Sequence, residues 1–178
     1  MKTIVVGLGN PILGDDGVGW RVAEEVQRQL MSPSVSPSPP APLPEGEGSH
    51  VEVERLSLGG ISLMEHLIGY DCAILVDAFA TDAPIGSISV LKLSELPNYS
   101  AFHIASAHDT SLQNALELGR AMGAHLPEDV MIVGVATECI HDFSEDLSPP
   151  VARAVPHVAR IVRNLIMERA PEKQSSRS

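Results

Sequence analysis

The chain has 178 residues, a length typical of one domain that can bury a sizeable core. Acidic residues outnumber basic ones by 23 to 12, the net charge is −11, and no basic block occurs, so nucleic acid is not expected as a partner. No apolar segment is long enough for a signal peptide or a membrane span, so we expect a cytoplasmic protein with no membrane partner. Cys72 and Cys139 lie far apart without a paired metal motif and are expected to be free thiols.

The N-terminal stretch predicts a strand, a glycine-rich loop and a helix. The apolar residues 4–6 have the pattern of a short buried strand, and the loop Gly7–Gly19 follows. Apolar residues then recur every four positions, which favours a helix from about Asp16 to Leu30. The loop brings two adjacent carboxylates, Asp15 and Asp16, to the start of this helix, where the partial positive charge of the helix stabilises anions.

The glycine-rich loop does not fit a dinucleotide-binding site. Ile12 occupies the position of the third glycine of that fingerprint, and two acids would repel a pyrophosphate. Glycines combined with carboxylates favour a metal site or a proton-transfer site. The alternative is a tight turn in which Asp15 or Asp16 only caps the helix.

The rest of the chain alternates between strand and helix patterns. Strands are predicted at 51–56, 73–78, 86–93 and 130–135, and helices at 61–68, 109–122 and 148–168, the last with a bend or restart at Pro156. The 51–56 strand is expected near an edge of the sheet, and the continuous apolar run of 73–78 at its centre. The pattern predicts a single α/β domain, phosphorylase/hydrolase-like, with an about five-stranded, mostly parallel sheet and helices on both faces.

Two segments fall outside this pattern. Residues 31–50 are rich in proline, serine and glycine, and we predict a disordered insertion because such a composition buries too little apolar surface to offset its ordering entropy. Residues 171–178 are expected to form a disordered tail. The predicted domain therefore spans 1–170, with the insertion between its first helix and its second strand.

Three side chains form a candidate site. Asp16 follows the first strand, Asp77 ends the central strand, and His108 opens a helix after a long loop. Sites in parallel sheets collect at the carboxyl ends of the strands, so all three can lie at one edge. Carboxylates and imidazole are suitable ligands for nickel, zinc or another divalent ion. Alternatively, Asp77 caps a turn and His108 caps its helix.

Four motifs in order resemble those of the hydrogenase maturation endopeptidases. They are Gly9-Asn10 with Asp15-Asp16-Gly17-Val18-Gly19, Val76-Asp77-Ala78, Ser106-Ala107-His108-Asp109-Thr110-Ser111-Leu112, and Gly134-Val135 with Glu138 and Leu147-Ser148-Pro149. The resemblance covers almost the whole chain except 31–50 and the tail. One departure is Leu58, which stands where the family often has an acid before the paired glycines.

The resemblance implies an aspartyl-type endopeptidase. Members of this family remove the C-terminal extension of a nickel-iron hydrogenase large-subunit precursor after nickel insertion. By this resemblance, Asp16, Asp77 and His108 correspond to the family's nickel-binding triad and are both the metal ligands and the catalytic residues. The nickel would be carried by the precursor, which is the expected partner, and zinc or cadmium are other divalent ions that would suit the site.

Two other functions remain as alternatives. Peptidyl-tRNA hydrolases have an opening similar to Val6–Pro11, but this chain lacks their Thr-Arg-His-Asn run and the basic face that RNA binding requires. A non-catalytic chaperone for nickel or for the immature hydrogenase subunit would use the same triad.

Overall fold

The computed structural model describes residues 1–31, 50–96, 111–138 and 143–169. Five strands form one sheet: β1 (Lys2–Leu8), β2 (His50–Leu56), β3 (Cys72–Ala80), β4 (Ile88–Lys92) and β5 (Asp129–Thr137). The helices are α1 (Val18–Met31), α2 (Gly60–His66), α3 (Leu112–Ala121) and α4 (Pro149–Arg169). Short 3-10 turns lie at Gly14–Gly17 and Leu93–Glu95.

The sheet has the order β2-β1-β3-β5-β4 and is mostly parallel. Only β4 among these strands runs antiparallel, against β5. The predictions of a single α/β domain, of an edge position for the second strand and of a central position for the third are confirmed. The continuous apolar run of β3 follows from that position, because a central parallel strand is covered on both faces.

Two apolar layers cover the sheet, as predicted for helices on both faces. One layer contains α2 and α3, and the other contains α1 and α4. Along β3, Leu75 packs in the α2–α3 layer and Val76 in the α1–α4 layer. Because side chains alternate between the faces of a strand, Asp77 projects on the α2–α3 side.

Glycines let the start of α1 lie directly against the sheet. A Cβ atom on Gly19 would lie 2.2 Å from the carbonyl oxygen of Leu8 and 2.5 Å from that of Val76. The backbone of α1 therefore contacts the ends of both β1 and β3, and this contact holds the preceding turn at the carboxyl edge of the sheet.

Several predicted boundaries were wrong. Residues Gly14–Gly17 form a 3-10 turn, and α1 begins only at Val18. β4 begins at Ile88, because Gly86 has a φ of +84° and forms a turn before it. α4 continues through Pro156 without a restart, since Val151 and Val158, on either side of the proline, are buried in the same apolar layer.

Other predictions fall partly or wholly outside the described residues. Met31 ends α1 and His50 begins β2, while the rest of the predicted 31–50 insertion and the predicted 171–178 tail lie outside. Cys72 is a free, buried thiol as predicted, and burial raises its pKa; Cys139 lies outside the described ranges. Among the helices described, none has the length and apolarity that crossing a bilayer requires.

Candidate active site

The glycine-rich loop holds the Asp16 carboxylate at the end of β1. The backbone N–H of Asn10 donates to Oδ2 of Asp16 over 2.6 Å. Gly9 has a φ of +119°, and a Cβ there would lie 1.9 Å from the Asp16 carbonyl oxygen. Only glycine therefore lets the chain turn back so closely on the half-buried Asp16.

Asp77 lies near the carboxyl end of the central strand and is fully buried. Its Oδ1 accepts a hydrogen bond from the backbone N–H of Ala78 over 2.9 Å. Its register partner on β5 is Gly134, where a Cβ would lie 2.6 Å from the Phe79 ring. The ring therefore covers Gly134 beside Asp77, so this carboxylate lies in a site of low dielectric constant.

The structure places Asp16 and Asp77 at the same edge of the sheet. The turn that carries Asp16 contacts β3, and Gly19 touches the carbonyl of Val76, the residue before Asp77. His108, the third predicted residue, lies outside the described residues. The chain is described again from Ser111, and Leu112 is buried in the layer on the Asp77 side of the sheet.

Asp15 has a different role from its neighbour. It is 2% exposed, and its two carboxylate oxygens accept hydrogen bonds from the backbone N–H and the hydroxyl of Ser148, over 2.6 and 2.7 Å. Ser148 immediately precedes α4. Asp15 therefore does not cap the turn that follows it, as the capping alternative expected, but holds the residue from which α4 begins.

The segment before α4 also pairs with the glycine-rich loop, which the sequence did not reveal. Leu13 and Ser144 form a parallel bridge. The N–H of Gly14 donates to the Ser144 carbonyl over 2.6 Å, and the N–H of Ser144 donates to the Ile12 carbonyl over 3.0 Å. A bridge this short carries no periodic pattern from which it could be predicted.

Leu58, which stands where the resembling family often has an acid, has an apolar role. It packs against the α2–α3 layer. The polar contact in this region comes from Ser57, whose hydroxyl donates to the Gly9 carbonyl over 2.6 Å. The end of β2 therefore supports the glycine-rich loop without contributing a carboxylate at position 58.

The donor chemistry of the predicted triad suits a divalent ion. A carboxylate has about four lone-pair sites, so accepting a backbone N–H bond, as Asp16 and Asp77 do, is compatible with metal ligation. Within the described ranges, no group of three or more histidine, cysteine and acidic side chains is arranged to hold a metal. His108, the third predicted ligand, lies outside these ranges.

A cavity of about 630 Å³ lies away from the two acids. Its walls include Lys92, Gln113 and Arg120, together with Asp129 at the start of β5. The start of a parallel strand is at the edge opposite to Asp77. We therefore place the candidate active site at the carboxyl edge and not in this cavity.

The chain is similar to proteins of known family. A family model described as "Hydrogenase maturation protease" matches residues 49–165. The hydrogenase expression/formation protein HoxM of Azotobacter vinelandii is 26% identical over 166 residues, which cover 93% of this chain and 72% of that protein. The hydrogenase 2 maturation protease of Escherichia coli is 26% identical over 142 residues, 79% of this chain and 76% of that protein.

Solved structures share the fold. The hydrogenase maturating endopeptidase HybD from E. coli superposes with a TM-score of 0.67 at 24% identity, over 94% of this chain and 93% of that one. The maturation protease HycI from Thermococcus kodakarensis gives a TM-score of 0.61 at 17% identity, over 93% and 92% of the two chains. Since the family model covers more than half of the 178 residues, the protein belongs to the hydrogenase maturation protease family and is a peptide-bond hydrolase.

Proposed function

We propose that this protease removes the C-terminal extension of a nickel-iron hydrogenase large-subunit precursor after nickel insertion, as an aspartyl-type endopeptidase of the cytoplasm. The observation that carries the proposal is the pair of carboxylates, Asp16 and Asp77, at neighbouring strand ends of one sheet edge. The names of the relatives support the substrate class, because one of them is a hydrogenase 2 maturation protease.

In this proposal the nickel carried by the precursor is the recognition element, and Asp16, Asp77 and His108 bind it. Two carboxylates and an imidazole are suitable donors for nickel, and also for zinc or cadmium. Asp77 is fully buried, and opposite charges attract more strongly in a low dielectric than in water. A precursor without metal would lack this attraction, so its scissile bond would not be placed at the two acids.

Hydrolysis at this edge has two possible routes. A carboxylate of the pair can take a proton from the attacking water, as a general base does. Alternatively, the nickel of the substrate can polarise the scissile carbonyl while the carboxylates only hold it. Both routes need the same two acids, so substitution of either acid tests the proposal whichever route operates.

The test is cleavage of a purified, nickel-loaded precursor, followed by intact mass. We expect cleavage only with nickel present, and we expect Asp16→Asn, Asp77→Asn and His108→Ala each to abolish it with little change in melting temperature. Asparagine keeps the shape of the side chain but loses its charge. Acidic conditions should also inhibit, since protons compete with the metal for the imidazole.

Asp82→Asn is a matched control, because Asp82 is an exposed acid that follows β3 at the same edge. It should cleave like the wild type. Variants at Asp16, Asp77 and His108 that unfold more easily but still cleave would mean that these residues only shape turns and caps. An intact precursor after incubation with the wild type would overturn the proposed reaction itself.

A further inference from the structure

Two exposed apolar side chains lie beside the candidate active site. Ile12 is 46% exposed and Phe143 is 83% exposed. Ile12 belongs to the loop that carries Asp16, and Phe143 belongs to the segment that leads into α4. A single exposed apolar residue is ordinary on a protein surface, but an adjacent pair at the edge of a functional site suggests recognition.

The backbone pairing between the two segments sets the direction of these side chains. Leu13 and Ser144 are partners in a parallel bridge. Ile12 and Phe143 each come one residue earlier in the chain, so in this register they lie opposite each other. Side chains alternate along extended chains, and paired chains lie about 4.8 Å apart. Ile12 and Phe143 therefore lie side by side on the face opposite the half-buried Leu13 and Ser144, and we call them the apolar pair.

The two segments that carry the apolar pair are also joined by contacts that follow Phe143 in the chain. Beyond the bridge, the buried Asp15 binds Ser148 through both carboxylate oxygens. The Arg21 guanidinium donates to the carbonyl oxygen of Glu145 over 3.1 Å. These bonds fix the backbone that follows the apolar pair, and such preorganisation favours affinity.

Hydrogen bonds connect the apolar pair to the acid of the candidate site. The N–H of Ile12 donates to Oδ1 of Asn10 over 3.2 Å, and the N–H of Asn10 donates to Asp16 over 2.6 Å. These bonds place Ile12 close in the chain to the carboxylate that would receive the substrate. Glu145 and Asp146 are exposed next to Phe143, and the whole chain carries a net charge of −11, so the surface favours a partner with basic residues.

We propose that the apolar pair is a docking surface for the hydrogenase large-subunit precursor, and that it takes an apolar side chain of the precursor with a basic residue beside it. This inference rests on the proposed function, because the precursor is its occupant. It adds a contact that does not depend on nickel. Binding should thus have two separable components, one from the metal and one from this surface.

The test measures the Kd of nickel-free precursor by calorimetry, because this ligand brings no metal to the acids. Phe143→Ser and Ile12→Ser should each raise Kd, and burial of a phenylalanine predicts about ten- to hundredfold for Phe143. Phe143→Leu, which stays apolar, should retain most of the affinity. Adding salt should weaken binding of the wild type, and Glu145→Gln should reduce that dependence.

Met122→Ser and Met167→Ser are matched controls, since these methionines are 79% and 67% exposed. They lie near the opposite edge, after α3 and near the end of α4, where Arg169 binds Asp129. Both variants should bind the precursor like the wild type. Melting temperatures of all variants should be unchanged, because the substituted side chains are exposed.

Several results would overturn the docking surface. One is a Kd for Phe143→Ser and Ile12→Ser equal to that of the methionine controls. Another is no binding of nickel-free precursor by the wild type, together with an unchanged KM of these variants for the loaded precursor. A third is a dimer of the free protein that Phe143→Ser dissociates in sedimentation. A failure of the proposed function would give a different result from a failure of the docking surface, because the nickel-loaded precursor would then bind but would not be cleaved.

Discussion

At the scale of single residues, two adjacent aspartates have separate roles. Asp16 faces the end of β1 with a half-buried carboxylate, whereas Asp15 is buried against Ser148. The sequence predicted that an acid would lie here, because the loop follows a strand and precedes a helix. It could not predict which acid binds the segment before α4, since the partner, Ser148, lies 133 residues away along the chain. The position of Asp77 was predictable because it follows a continuous apolar run, although the strand does not end there and continues to Ala80.

The contact between Asp15 and Ser148 should contribute to stability and not directly to chemistry. Asp15→Ala leaves the N–H and the hydroxyl of Ser148 without their acceptor, and leaving such groups unsatisfied costs about 1–3 kcal/mol. Ser148→Ala removes only the hydroxyl bond and should cost less. Urea denaturation of the two single variants and the double variant measures both effects.

The double variant decides whether the two residues act as a unit. Residues in direct contact show non-additive changes in the free energy of unfolding. We expect Ser148→Ala to cost almost nothing further once Asp15 is alanine. Strictly additive losses would show that the 2.6 and 2.7 Å contacts contribute little in solution.

At the scale of elements, apolar patterns predicted most strands and helices, because burial sets those patterns. The ends of strands and helices were predicted less well, because contacts with other parts of the chain determine where some of them begin or end. Gly86, for example, looked like the first residue of a strand, but its N–H binds the Ala136 carbonyl and its φ is +84°. Pro156 looked like a breakpoint, but apolar contacts on both sides keep α4 continuous.

The contact between β2 and the turn after α2 should make the free energy of unfolding fall at alkaline pH. The Tyr70 hydroxyl donates to Oε2 of Glu52, and burial first, then this bond, raise the pKa of Tyr70 from 10 to about 12. A pKa raised in the folded state stabilises the protein fully below pH 10, and this contribution is lost as the pH rises to about 12.

Chemical denaturation between pH 9 and pH 12.5 checks this effect, with Tyr70→Phe as the matched variant. The wild type should lose free energy of unfolding more steeply than the variant across the interval from 10 to 12. Parallel curves for the two proteins would mean that the hydroxyl titrates alike in the folded and unfolded states.

At the scale of the whole molecule, the fold class was predictable and the docking of distant segments was not. Alternating strand and helix patterns led to a parallel sheet with two covered faces, which the structure has. The pairing of the 12–14 loop with Ser144 joins two segments that are far apart in the sequence through two backbone hydrogen bonds. Such contacts depend on how the helices pack on the sheet, and local patterns contain no record of that packing.

The two apolar layers share their strands, so the molecule should unfold as one unit. Val5 and Val6 are consecutive in β1, yet the first packs in the α1–α4 layer and the second in the α2–α3 layer. Loss of either layer would expose one face of β1, β3 and β5 and would remove the support of the other layer. Small single domains built in this way usually show one cooperative transition.

Trp20, the single tryptophan, gives a local probe of this cooperativity. Its indole N–H donates to the Leu56 carbonyl over 3.3 Å, and the Arg55 guanidinium lies 5.9 Å from its ring, so it reports on the contact between α1 and the edge strand β2. In guanidinium titrations, its fluorescence and the far-ultraviolet circular dichroism should share one midpoint. A fluorescence transition at lower denaturant would show that the β2 edge, on which the glycine-rich loop also rests through Ser57, opens before the rest of the sheet.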